Sequence, residues 1–89
     1  MKAVITVTGK DTVGIIADVA SVCSKYNANI VEITQSVLSE YFAMIMLADI
    51  QTLNSEFSAF VDALSALGTE KGLAIHTMHE DIFNTMHHI

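Results

Sequence analysis

The sequence predicts an α+β sandwich in which two helices cover one face of a four-stranded antiparallel sheet, in the order β-α-β-β-α-β, with a short C-terminal helix after the last strand. Three observations predict it. Four strand-like stretches rich in β-branched residues alternate with two segments whose apolar residues recur every three or four positions. The second and third stretches are joined by no more than Ser39-Glu40, which reads as a hairpin. The chain has 89 residues and no proline, so 1–89 reads as one domain with one core and no linker.

Residues 3–8, Ala3-Val4-Ile5-Thr6-Val7-Thr8, form the first strand, and Gly9-Lys10-Asp11-Thr12 interrupt it. Ile16, Val19, Ala20, Cys23 and Tyr26 then share one helical face, so a helix is expected over 13–26, with Asp11 or Thr12 supplying the capping oxygen. After Asn27-Ala28-Asn29 come strands over 30–38 and 41–50. The link between them lacks the Asn-Gly or Asp-Gly pair that two-residue turns favour, so the turn type stays open.

Asn54 or Ser55 is placed to cap a second helix whose stripe is Phe57, Phe60, Val61, Leu64 and Leu67. Gly72 is its expected stop and Gly68 a competing one. A fourth strand follows over 73–78. In the tail over 80–89, Ile82, Phe83, Met86 and Ile89 fall on one face, with acids at the start and His87-His88 at the end, matching a helix dipole.

Composition narrows the partners. Ten acids oppose four bases, Lys2, Lys10, Lys25 and Lys71, for a formal charge of −6 and no arginine. Such a surface repels phosphate backbones and lacks the guanidinium forks that clamp them, which argues against nucleic acid and anionic membrane as partners. No run of about 18 apolar residues appears, and Met1-Lys2-Ala3-Val4 has no signal-peptide layout, so the expected location is the cytoplasm. Cys23 stands alone and reads as a small buried apolar group.

The third strand is apolar on both sides. Tyr41, Ala43, Ile45 and Leu47 alternate with Phe42, Met44, Met46 and Ala48, whereas a sheet covered on one face should alternate apolar with polar. Each large side chain left uncovered forfeits about 1.5–3 kcal/mol, a heavy loss for a protein of about 5–10 kcal/mol net stability. The outer face must therefore be covered, by a second copy, by the tail, or by both. Phe42, Met44 and Met46 in particular should not stand bare in solvent.

At this point the residues resemble the ACT domain family, and in particular its small stand-alone bacterial members. The resemblance rests on Val4-Ile5-Thr6-Val7-Thr8-Gly9-Lys10-Asp11-Thr12-Val13-Gly14-Ile15-Ile16-Ala17, on Asn29-Ile30, and on Glu80-Asp81-Ile82-Phe83-Asn84-Thr85-Met86-His87. It spans nearly the whole chain and implies the ferredoxin-like fold already read from periodicity. It also implies a small effector, such as an amino acid, bound at a subunit interface. On that basis the free N–H groups near Val13, Gly14 and Ile15 receive a carboxylate. Asp11 pairs with an ammonium group, and Asn29 and Ile30, from the same or a neighbouring subunit, close the site. Thr12 and Val13 stand where many family members carry arginine and proline, which removes one ligand contact. The plainer alternative is structural, with Asp11 a helix cap and Gly14 needed where the helix packs on the sheet.

Other ferredoxin-like chemistries fail on the residues present. An acylphosphatase-like site needs an arginine in the first loop, a metallochaperone needs a Cys-x-x-Cys there, and an RNA-recognition sheet needs basic residues around its aromatics. His76 and His79 fall on opposite faces of one strand, and with His87 and His88 they read as solvated or capping side chains and not as a metal site. No catalytic set, metal or cofactor is expected. The sequence thus points to a non-enzymatic regulatory module, acting as a homodimer or higher oligomer, that takes a small effector and communicates with a regulated protein. The alternative is an interaction domain that has kept its dimer interface and lost its ligand.

Overall fold

The structure is a computed structural model that describes residues 1–10 and 13–86. Along the chain lie β1 (Lys2–Lys10), α1 (Ile15–Lys25), β2 (Asn29–Leu38), β3 (Tyr41–Asp49), α2 (Phe57–Lys71), β4 (Ala74–His79) and α3 (Glu80–Met86). The strands form one antiparallel sheet in the order β2-β3-β1-β4, which is the ferredoxin-like arrangement expected. Expected strand and helix limits differ from these by a residue or two. His87, His88 and Ile89 fall outside the described residues, so the expected tail face is seen only as far as Met86.

Alternation in β1 and β3 decides where the core sits. Ala3, Ile5 and Val7 point to the helices with Phe42, Met44, Met46 and Ala48, and all seven are buried. The helices answer with Ile15, Val19 and Cys23 from α1 and Phe60, Leu64 and Gly68 from α2. Phe60 packs against Tyr26 and Phe57, with ring centroids 5.8 and 6.5 Å away in tilted geometry. The side chains that the sequence required to be covered therefore lie under the helical layer. Their neighbours Tyr41 and Ile45, 55% and 47% exposed, are the ones that face outward.

Two close approaches fix how α2 meets β4. A Cβ on Gly68 would sit 2.7 Å from the Leu73 carbonyl oxygen, so only glycine lets the helix lie this near the strand. The Gly68 carbonyl accepts a hydrogen bond from the Leu73 N–H at 2.8 Å. The helix itself runs on to Gly72, whose φ of 72° supplies the left-handed stop. Gly68 is thus a packing residue, and Gly72 ends the helix.

Both expected N-caps are corrected. Helix α2 starts after Glu56, with no side-chain cap, because Asn54 and Ser55 are engaged elsewhere. The Asn54 amide donates to the Lys25 carbonyl at the end of α1, and the Ser55 hydroxyl donates to the Glu56 carbonyl. Helix α1 is capped at Gly14, also without a side-chain bond. Asp11 and Thr12, the expected caps, lie outside the described residues.

The hairpin turn is resolved as well. Leu38 pairs with Tyr41, leaving Ser39 and Glu40 as a two-residue loop in which Ser39 alone has a positive φ, 60°. That sign pattern belongs to a type II′ turn, whose first loop position favours glycine. Ser39→Gly is expected to raise stability by about 0.5–1 kcal/mol, read as a shift of the urea midpoint at unchanged slope.

Burial pushes the Cys23 thiol up to about 11 from 9.0, so it is protonated and sealed at neutral pH. Labelling by a thiol reagent at pH 8 should run about a hundredfold slower in the native protein than in denaturant. Because the folded state favours the protonated form, stability should stay level below pH 9 and fall between 9 and 11.

Candidate functional site

Helix α1 begins in an unusual way. Gly14 takes φ 85°, and its carbonyl accepts the first helical hydrogen bond, from Asp18 N–H at 2.9 Å. The N–H groups of Ile15, Ile16 and Ala17 have no partner within the helix, and no side chain of the described residues caps them. They form a positive pole at the mouth of a groove.

That groove, about 470 Å³, is bounded by residues 14–17 at the start of α1, residues 35–37 of β2, and Phe42. Its floor is apolar, from Ile15, Val37 and Phe42, and Gln35 and Ser36 add neutral polar atoms. None of these lining residues is ionisable. Val13 stands beside the groove with its side chain fully in solvent, 103% exposed. Asp11 and Thr12, expected to contribute here, fall in the undescribed stretch.

Gly14 has a clear cause. A Cβ added to it meets nothing within 4 Å, so the helix does not need glycine there in order to pack on the sheet. What requires glycine is the left-handed backbone, and the consequence is an unobstructed approach to the helix start.

Asn29 and Ile30 are not in this groove. They line a second one of about 370 Å³ with Ala20, Ser24, Asn27 and Thr52, at the far end of α1. The eleven residues of that helix separate the two grooves by about 16 Å. Within one copy, then, the expected site residues fall into two halves. The second groove is held firmly: Asn27, at φ 61°, donates through its amide to the Thr52 carbonyl at 2.8 Å, and the Thr52 hydroxyl donates back to the Asn27 carbonyl at 3.3 Å.

Both grooves border β2, one of the two edge strands. Its ten residues run about 33 Å, almost all of it exposed. Ile33 and Val37, on the helical side, are 38% and 56% exposed, and Leu38, on the other face beside Tyr41, is 75% exposed. One bulge, between Ile30 and Glu32, is the only irregularity along it. A long apolar edge with free N–H and C=O groups is a template for another strand. Sequence reasoning sought the uncovered apolar surface on β3 and missed β2, although the Val31, Ile33, Val37 and Leu38 pattern was there to be read.

His76 and His79 do lie on opposite faces of β4, and the His79 ring stacks on Phe57 with centroids 4.2 Å apart. No group of three metal-ligating side chains forms among the described residues. None of their helices is long and apolar enough to cross a membrane.

Comparison with known proteins adds the following. Residues 2–78 match a family model described as ACT domain. A UPF0237 protein of Methanococcus maripaludis is 48% identical over 86 residues, covering 97% of this chain and 96% of its own. An ACT domain protein from Streptococcus pneumoniae superposes with a TM-score of 0.80 at 35% identity, covering 93% of each chain. The regulatory subunit of aspartate kinase from Thermus thermophilus shares the fold, with a TM-score of 0.66 at 20% identity over 86% of this chain and 50% of its own.

Because the space around Gly14 is open, Gly14→Ala should cost only backbone strain, about 1–2 kcal/mol. Chemical denaturation measures it. A loss above about 3 kcal/mol would mean that the methyl group meets an obstacle.

Proposed function

The chain belongs to the ACT domain family, and from that premise we propose that it is a one-domain cytoplasmic regulator, spanning 1–89, that takes up a small effector between two copies of itself. ACT domains serve generally as small-molecule-binding regulatory modules. The observation that carries the reading is the bare edge of β2 with a half-site at each end.

Antiparallel pairing of two such edges about Ile33 and Thr34 lays the Asn29 end of one copy against the Leu38 end of the other. The groove at Gly14 then meets the groove at Asn29 and Ile30 of its neighbour. Halves that lie about 16 Å apart within a protomer become one site in the dimer. The same pairing satisfies the backbone of β2 and shelters Ile33 and Val37.

An amino acid is the effector we assign to the joined site. Its carboxylate faces the N–H groups of Ile15, Ile16 and Ala17, which no described side chain caps. Asp11 is assigned the ammonium group from the family resemblance, with Thr12 and Val13 next to it in sequence. An apolar side chain of the effector lies on Val37 and Phe42. On this reading the effector is bound and released unchanged, and its presence is passed to a regulated protein.

A thermal-shift panel of the twenty amino acids at millimolar concentration tests the reading. An effector at a hundred times its Kd stabilises by about 2.7 kcal/mol, which is about 10–20 °C for a domain of this size. One amino acid, or a few of related shape, should raise the midpoint. If none does, the amino-acid reading falls and a dimerisation domain without a ligand replaces it.

A further inference from the structure

Neither groove that borders β2 is lined by a charged or titratable side chain, in a chain with ten acids, four lysines and four histidines. The first groove offers Gln35 and Ser36 as polar side chains, and the second offers Ser24, Asn27, Asn29 and Thr52. The wall of the second groove is tied down on both sides. The Asn27 N–H donates to the Ser24 carbonyl at 3.1 Å and the Ala28 N–H to the Cys23 carbonyl at 2.8 Å. Asn27 and Thr52 exchange two hydrogen bonds. Asn54 holds the Lys25 carbonyl through its side-chain amide at 3.0 Å and the Tyr26 carbonyl through its backbone N–H at 3.1 Å. What stays open is the Ser24 hydroxyl and the Asn29 amide, both exposed and neither hydrogen-bonded among the described residues.

We infer that the second groove receives an uncharged, hydrogen-bonding end of the effector, and that the effector is an amino acid with a side-chain carboxamide, of the glutamine and asparagine class. This deepens the reading above and rests on its pairing of two β2 edges. With Asn29 opposite Leu38, Ile30 faces Val37 of the other copy, so the two grooves meet there, about 4.8 Å apart across the strands. A carboxylate at the start of α1 sends the rest of the molecule over Val37 and Phe42 toward that junction. The methylenes of its side chain are the apolar part that lies on these two residues, and its head passes Ile30 to reach Asn29 and Ser24.

Three alternatives at the head fare worse. A carboxamide carries donors and an acceptor, the complement of the Asn29 amide and the Ser24 hydroxyl. A side-chain carboxylate or ammonium would be enclosed with no opposite charge in either groove. An alkyl or thioether end would desolvate the Asn29 amide and the Ser24 hydroxyl and leave them unpaired. The bonds to Thr52 and Asn54 fix the wall in advance, so it discriminates by shape and hydrogen bonding at little ordering cost.

Isothermal titration calorimetry of the wild type, Asn29→Ala and Ser24→Ala with L-glutamine, L-asparagine, L-glutamate and L-methionine tests it, with circular dichroism to verify folding. Both substituted side chains are exposed, so the variants should keep the fold. Glutamine or asparagine is expected to bind at least about tenfold tighter than glutamate and methionine, and one or both variants should lose most of that preference. Equal or tighter binding of glutamate, methionine or any other amino acid that the thermal-shift panel brings out overturns the inference and leaves the two-copy effector site standing. A carboxamide preference that survives in both variants also overturns it, because the second groove is then not its source. If none of the twenty amino acids binds, the amino-acid reading and this inference fall together.

Discussion

One constraint organises the molecule: β3 is apolar on both faces, while the chain has helices enough for one. Burying Phe42, Met44 and Met46 beneath α1 and α2 is worth about 1.5–3 kcal/mol for each side chain. The rest follows from this allocation. Gly68 brings α2 close to β4, Phe60 fills the centre between Tyr26 and Phe57, and the loops around Asn27 and Asn54 tie the end of α1 to the start of α2. What the helical layer leaves exposed is most of β2, which α1 touches only in part, and the outer face of the sheet beyond α3.

Element order, strand limits and the place of the hairpin were legible in the sequence because each depends on local pattern. Period-2 and period-3.6 spacing are properties of neighbours along the chain. The caps were less legible, because Asn54 is equally able to serve the helix ahead of it or the one behind. It serves the one behind, at the Lys25 carbonyl, since the chain folds back there and that carbonyl needs a donor. Likewise, alternation says that Phe42 and Tyr41 face opposite ways, but only the position of the helices says which of them is inside.

The candidate site was legible by halves. Gly14 and the pair Asn29-Ile30 both stand out in the sequence, and each lines a groove in the structure. Their separation by the length of α1 was not visible, because nothing in the spacing of residues 14 and 29 says that a helix holds them apart. Gly14 also has a different cause from the packing role that seemed the plainer alternative. Its φ of 85° and the open space beside it mean that the glycine serves the turn and the approach to the helix start.

A site divided in this way has a thermodynamic consequence on the proposed reading. If neither half alone holds the effector, its affinity depends on the concentration of paired chains, and by linkage the effector tightens the pairing by the same factor. No moving part is then needed for regulation. The edge of β2, costly when bare, supplies the association, and the effector supplies the bias. A partner protein that reads the paired form, and not the single chain, would respond to the metabolite through that equilibrium alone.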